Sequence, residues 1–232
     1  MTFKRSVLSA AVLGASVFSG SALAELSGNV GVVSEYLFRG LSQGSGAAVQ
    51  GGLDYAGESG FYVGTWGSTI GFGGSPGSTE VDVYAGFGGE AGSIAYDIGA
   101  IYYWYSEEDE VDQPDPSYNT VEVYASLGFG PVTVGGYFAP DTYFGVDESA
   151  YGINLAFSAP VSDKLSFDAA IQHNGGKGNE AFTPDGDTYL DYSIGLSTET
   201  EIGMSMSLAF VGTDIEDDDP KLIISGGYSF GL

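Results

Sequence analysis

The stretch Lys221–Leu232, KLIISGGYSFGL, places an apolar or small residue at every second position: Leu222, Ile224, Gly226, Tyr228, Phe230 and Leu232. Period two is the signature of a strand with one greasy face. Soluble sheets blunt an exposed edge with charge, proline or a bulge. Here the only charge is Lys221, at the start of the run. Such a strand needs a partner, and the arrangement that supplies one is closure onto the other end of the chain. The expectation is a barrel.

The remainder of the chain agrees. Residues 1–24 read as a secretory signal peptide: Lys4 and Arg5, then the short apolar run Val7–Phe18, then Ala22-Leu23-Ala24 as a cleavage site. Residues 25–232 are then one barrel domain. Cleavage removes two bases and no acid, taking the net charge from −25 to −27. With no cysteine in an exported chain, disulfides and thiol chemistry are excluded. The 38 glycines in 232 residues are more than twice the usual ~7 %. That many glycines oppose helices, each costing about 1 kcal/mol relative to alanine. After the signal segment no apolar run reaches the ~18 residues of a membrane helix, so a membrane protein of this composition must be a barrel. The excess of acid disfavours nucleic acid, whose phosphates demand bases.

Periodicity predicts twelve strands, at about 26–41, 47–56, 60–69, 79–89, 92–105, 119–129, 131–140, 149–158, 163–173, 188–198, 202–212 and 221–232. Most match the ~9–11 residues of a tilted membrane strand. Short connections such as Ala56–Gly60 and Gly130-Pro131 alternate with longer ones such as Ser106–Tyr118 and Asn174–Asp187. This is the asymmetry of outer-membrane barrels, with both termini on the short-turn, periplasmic side. The fold class is therefore all-β: a transmembrane, antiparallel, up-and-down barrel. Two of the long loops are acidic, around Glu107–Asp115 and Asp214–Asp219.

In most strands one parity is apolar, as in Ile94, Tyr96, Ile98, Tyr102 and Trp104, or Tyr151, Ile153, Leu155 and Phe157. The other is mostly Gly, Ser, Ala, Tyr and Asp, which suits the lining of a narrow wet lumen rather than a solvated face. Aromatic residues near strand ends, Tyr36 and Phe38 among them, are expected to form interfacial girdles. By the same parity Glu35, Asp54, Asp82, Asp97, Glu122, Asp168 and Asp191 point inward, with Arg39, Lys164 and Lys221. Arg39 is the only arginine left after processing, and it reads as lying within the first strand. Carboxylates lining a pore favour cations, and one arginine among them would grip a carboxylate or phosphate in a bidentate manner. The alternative for Arg39 is an internal pair that fills the lumen, as side chains do in small barrels. Tyr62, Trp66, Tyr84, Tyr103, Tyr124, Tyr137 and Tyr189 also point inward, where volume filling explains them. The acidic loops lack the glycine and ligand spacing of a calcium loop. His173, the one histidine, falls on the apolar parity and supports no triad. No cofactor, metal or enzymatic activity is expected.

The segment Ser34-Glu35-Tyr36-Leu37-Phe38-Arg39-Gly40, followed by Ser42-Gln43, Gly52-Leu53-Asp54-Tyr55 and Gly64-Thr65-Trp66, resembles the TorF-type family of outer-membrane porins. The final residues, with Phe230 and Leu232 alternating to the end, resemble the C-terminal insertion signal read by the barrel-assembly machinery. The resemblance implies a small porin in the bacterial outer membrane, with lipid as its surroundings and small solutes as its cargo. It carries over no catalytic residue. Assembly into a homo-oligomer stays open. Two functions are then weighed: a passive diffusion channel whose acidic lumen favours cations or small neutral or zwitterionic solutes, and a closed structural or surface-recognition barrel with acidic external loops.

Overall fold

The two ends of the chain pair with each other. In the computed structural model, which describes residues 24–44, 46–71, 78–106 and 117–232, strand β14 (Lys221–Gly231) lies antiparallel to β1 (Glu25–Val33). Their register runs from Ser27 opposite Gly231 to Val33 opposite Ser225. The far edge of β1 pairs with β4 (Ala48–Ala56), from Glu25 opposite Ala56 to Val33 opposite Ala48. Between these lie β5 (Phe61–Ile70), β6 (Ser78–Ala91), β7 (Ile94–Tyr105), β8 (Thr120–Phe129), β9 (Val132–Ala139), β10 (Ala150–Ser162), β11 (Leu165–Gly175), β12 (Tyr189–Glu199) and β13 (Met204–Thr213). Each pairs antiparallel with its sequence neighbours, giving a closed barrel of twelve strands. The signal segment up to Leu23, the acidic run Glu107–Asp115 and Gly73-Gly74 lie outside the described residues.

The apolar parity faces outward. Ile98, Ile153 and Met206 are each about 60 % exposed, and Val32, Val83, Leu127, Phe210 and Ile224 are exposed beside them. Monomeric soluble proteins rarely expose a contiguous apolar surface of this extent. It is the face a barrel turns to hydrocarbon. Tyr102, Trp104, Phe129, Tyr151 and Tyr228 lie on the same face, as the girdle reading expects.

The first strand departs from expectation. It ends at Val33, not at residue 41. The wall contact continues for one more residue, through Ser34 N to Ile224 O at 2.9 Å. The chain then turns into the lumen and forms a small hairpin of β2 (Leu37–Phe38) and β3 (Leu41–Ser42). Its two-residue turn is Arg39-Gly40, with φ of 52° and 80°. Positive φ at both positions is the turn that suits the twist of a tight hairpin. Arg39 is thus at a turn tip, not inside a strand. Tyr36 and Phe38 correspondingly leave the lipid face: Tyr36 is buried against Trp66, and Phe38 packs on Tyr103 and Phe144. The parity of β1 continues through these residues by coincidence of composition.

A second insertion comes from the loop after β9. Tyr143 and Val146 bridge each other, and Phe144, at φ 45°, is pushed inward. Its N–H donates to Thr120 Oγ1 at 2.8 Å. The loop after β11 carries a short helix, α1 (Lys177–Glu180), not expected from the sequence. Its buried Asn179 donates to the carbonyls of Gly175 and Tyr151 at 2.8 and 3.0 Å. Together these segments cork the loop end of the lumen. Leu37, Tyr143 and Phe144 join Ile70, Ile101, Tyr103, Tyr105, Val211 and Ile223 in one buried cluster. The packed core of this molecule is therefore a plug inside the barrel.

Candidate functional site

The site is the lumen, and it divides along its length. At the loop end Arg39 is 6 % exposed and Glu122, across the barrel on β8, is 1 %. The guanidinium Nη1 and Nη2 donate to the two Glu122 oxygens at 2.8 Å each, and Nη1 also donates to Tyr143 Oη at 2.8 Å. Its carbon sits 3.3 Å from the centre of the Tyr137 ring and 4.4 Å from that of Phe38. Tyr103 Oη gives Glu122 a further donor at 3.1 Å. A bidentate pair with the guanidinium stacked on a ring and both partners further hydrogen-bonded is the geometry in which a buried ion pair holds. Of the two readings of Arg39, the geometry is that of the internal pair: it latches the hairpin to the opposite wall.

The other carboxylates are spread over the wall. Asp191 accepts from Asn174 Nδ2 at 2.7 Å and from Gln172 Nε2 at 3.3 Å. Gly40 lies against it: a Cβ there would stand 3.0 Å from the Asp191 Cβ and 2.5 Å from Thr213 Cγ2. Glu80 Oε1 accepts from Tyr36 Oη at 3.3 Å. Asp82, two residues on, is fully buried and takes no hydrogen bond on either oxygen. Towards the terminal end Asp54 accepts from Tyr84, Asp97 from Tyr62 at 2.7 Å, and Asp168 from Ser197 at 2.7 Å. Tyr62 and Tyr124 share a hydroxyl contact of 2.7 Å. Glu35 belongs to neither group. It sits where the chain leaves β1, at the loop rim, with Ser42 Oγ at 2.7 Å and Lys221 Nζ at 3.1 Å. Partial burial opposes its charge, but these two partners win and hold its carboxyl below the usual range.

The lumen also has two unlike walls. On β5 to β10, four tyrosines stand directly opposite a glycine on the adjoining strand: Tyr84 by Gly64, Tyr62 by Gly86, Tyr124 by Gly99 and Tyr137 by Gly152. Each ring lies across the space a glycine Cβ would fill. On β11 to β14, β1 and β4 many inward residues are small, Ala170, Ser193, Gly195, Ser205, Ser207, Ser225, Gly31 and Gly52, set among longer polar ones such as Gln172, Asp191 and Asp54. The small residues remain partly exposed although they face inward, so this side of the lumen is the less filled one. The aromatic side was anticipated from parity. The inserted residues Tyr143, Phe144 and Asn179 were not, since a loop that folds into a barrel leaves no periodic trace.

An exposed cavity of about 320 Å³ lies among the loops at the end of the barrel away from the termini, lined by Asp185, Asp187, Asp214, Glu216 and Asp217. Asp214 Oδ1 accepts from the Leu190 N–H and Asp218 from Thr213 Oγ1, each at 2.7 Å. Those acids fasten turns. His173 packs its ring near Tyr151, on the outer face at the loop end.

The closed wall, the outward apolar band and the polar, acid-bearing lumen define a bacterial outer-membrane β-barrel of porin-like architecture. Residues 18–222 match the family described as a bacterial protein of unknown function (Gcw_chp), and the chain belongs to that family. No curated protein matches it in sequence. Among solved structures it is similar to the KdgM porin in complex with disordered oligogalacturonate, at 9 % identity and a TM-score of 0.55, over 90 % of this chain and 99 % of that one. It is similar to the NanC porin at 10 % identity and a TM-score of 0.53, over 89 % and 100 % of the two chains. An outer-membrane channel from Pseudomonas putida F1 matches at 10 % identity and a TM-score of 0.53, over 95 % and 100 %. Likeness at this identity speaks for the fold.

Proposed function

We propose that the barrel is a small-solute channel of the outer membrane, in a conformation closed at the loop end by the Arg39 hairpin. The solutes it suits are cations and small neutral or zwitterionic molecules. The observation that carries this is the partly exposed Ser/Gly surface of the lumen, bordered in the terminal half by Asp54, Asp97 and Asp168 with no base beside them among the described residues. Fixed carboxylates in a narrow, low-dielectric passage raise the local cation concentration and repel anions. The TorF-type attribution and recognition of the final strand by the assembly machinery belong to the same reading. It assigns no reaction to the barrel.

Single-channel recording in planar bilayers tests it. The native barrel should show rare or small openings. A variant with residues 35–44 replaced by a short Gly-Ser turn should conduct steadily, with reversal potentials favouring K⁺ over Cl⁻. Silence from both proteins would overturn the channel. Anion preference would overturn the selectivity alone. The packed loop end favours the second reading, a closed barrel that presents its loops to a partner, and silence of the hairpin-free variant is the result that reading expects.

A further inference from the structure

We propose that Glu80 and Asp82 form a binding site for a hard divalent cation, of the calcium and magnesium class, in the barrel wall beside the plug. The two residues alternate on β6 and face inward, their Cα atoms about 6.6 Å apart at the usual strand rise. They are 1 % and 0 % exposed. Tyr36 Oη donates to one Glu80 oxygen at 3.3 Å. Glu80 Oε2 and both oxygens of Asp82 have no hydrogen-bond partner.

Among the described residues no base is available to them. Arg39 spends both terminal nitrogens on Glu122 and Tyr143. Lys164 is exposed in a turn, Lys177 pairs with Glu148, and Lys221 pairs with Glu35 at the rim. Across the strands Asp82 faces Trp66 and Tyr103, and Glu80 faces Ser68 and Tyr105. These neighbours offer hydroxyl oxygen and aromatic surface, and no positive charge. Two unpaired carboxylates at this burial carry a desolvation cost far above that of one lost hydrogen bond. A proton on each carboxyl is the competing way to remove the charge, and acidification distinguishes it from ion binding. One divalent ion cancels both charges and engages three otherwise idle oxygens at once. The ligand set is all oxygen, which selects hard cations over zinc or copper. Among the described residues no three acidic or histidine side chains converge in one place. Hydroxyl or water oxygens therefore complete the coordination, and the affinity belongs with the weaker calcium modules, Kd on the order of 10⁻⁴–10⁻³ M.

The site stands apart from the channel reading, since binding needs no conductance. The test uses the mature barrel refolded in detergent micelles and washed with chelator. Thermal unfolding is followed with Ca²⁺ or Mg²⁺ added at constant ionic strength, and Tb³⁺ luminescence sensitised by Trp66 is followed in parallel. The expected result is an unfolding temperature that rises with the ion, together with terbium emission that Ca²⁺ quenches. In Asp82→Asn both responses weaken at least tenfold in apparent affinity, while Asp217→Asn in the external loop leaves them unchanged. Should Asp82→Asn fail to refold, Glu80→Gln and the terbium signal of the native protein carry the same test. No ion response in the native barrel would overturn the proposal. So would a response abolished by Asp217→Asn and kept by Asp82→Asn, which would place the ion in the loops. A native barrel stabilised by acidification and indifferent to ions would overturn the proposal and assign the charge balance to protons on Glu80 and Asp82.

Discussion

Arg39 is held in a backbone conformation that costs a non-glycine residue about 1–2 kcal/mol, at φ 52°. The return is its bidentate contact with Glu122 and the ring of Tyr137 beneath it. Removing one member of such a pair strands the other, at a cost of about 3–5 kcal/mol. Arg39→Gln should therefore destabilise the barrel by about that amount in denaturant titrations in micelles. Arg39→Gln with Glu122→Gln should recover more than half of the loss, because no lone charge then remains buried. Equal losses in the single and double variants would show that the latch is packing alone. Arg39 also shows what one-dimensional reading misses. Its charge and its isolation from other bases singled it out, but its place did not follow. Tyr36 and Phe38 extend the greasy parity of β1, so the pattern runs on past the point where the backbone leaves the wall. The signal that marks the departure is the pair Arg39-Gly40, a two-residue turn with glycine second.

Among the elements, the tyrosine wall depends on pairs that no single strand displays. Glycine is plentiful and tyrosine falls inward, and both facts are legible in the sequence. Which glycine meets which ring depends on register, and register is set by turns and bulges between strands. The Gly99 position has a Cβ-equivalent point 2.5 Å from Tyr124 Oη and 2.7 Å from the Ala85 carbonyl oxygen. Gly226 on β14 has nothing nearer than 3.8 Å. Gly99→Val should thus cost about 1–3 kcal/mol by overpacking, and Gly226→Ala should be close to neutral. Unfolding midpoints of the two variants, measured side by side, check the contrast. An equal effect at both positions would mean that the rings move aside freely.

For the whole molecule the decisive property is which side of the wall is oily. Leu208 lies mid-strand on β13 and is 44 % exposed, while Ile202 lies in the preceding turn at 69 %. An arginine at the bilayer midplane of a barrel costs about 2–4 kcal/mol, falling to about 0–1 near the interface. Leu208→Arg should lower the folded fraction in lipid vesicles by an energy in the first range, and Ile202→Arg by one in the second. Equal costs, or a native barrel that stays monodisperse without detergent, would remove the membrane from the account. The outline at this scale was legible almost strand by strand, because a bilayer imposes period two on every crossing. The wall's share of the filling, its inward tyrosines, was legible too; the share that comes from the inserted loops was not.

The hairpin leaves the wall between β1 and β4, one strand away from the seam where β1 meets β14. That seam joins residues near opposite ends of the chain, the slowest kind of contact to form. The cork therefore has time to seat before the stave beside it is fastened. In a cylinder that seals first, the cork still has to fold in through the loop end, and until it does Arg39 faces water and Glu122 is alone within. Biogenesis of this barrel is thus a matter of sequence in time as well as of shape.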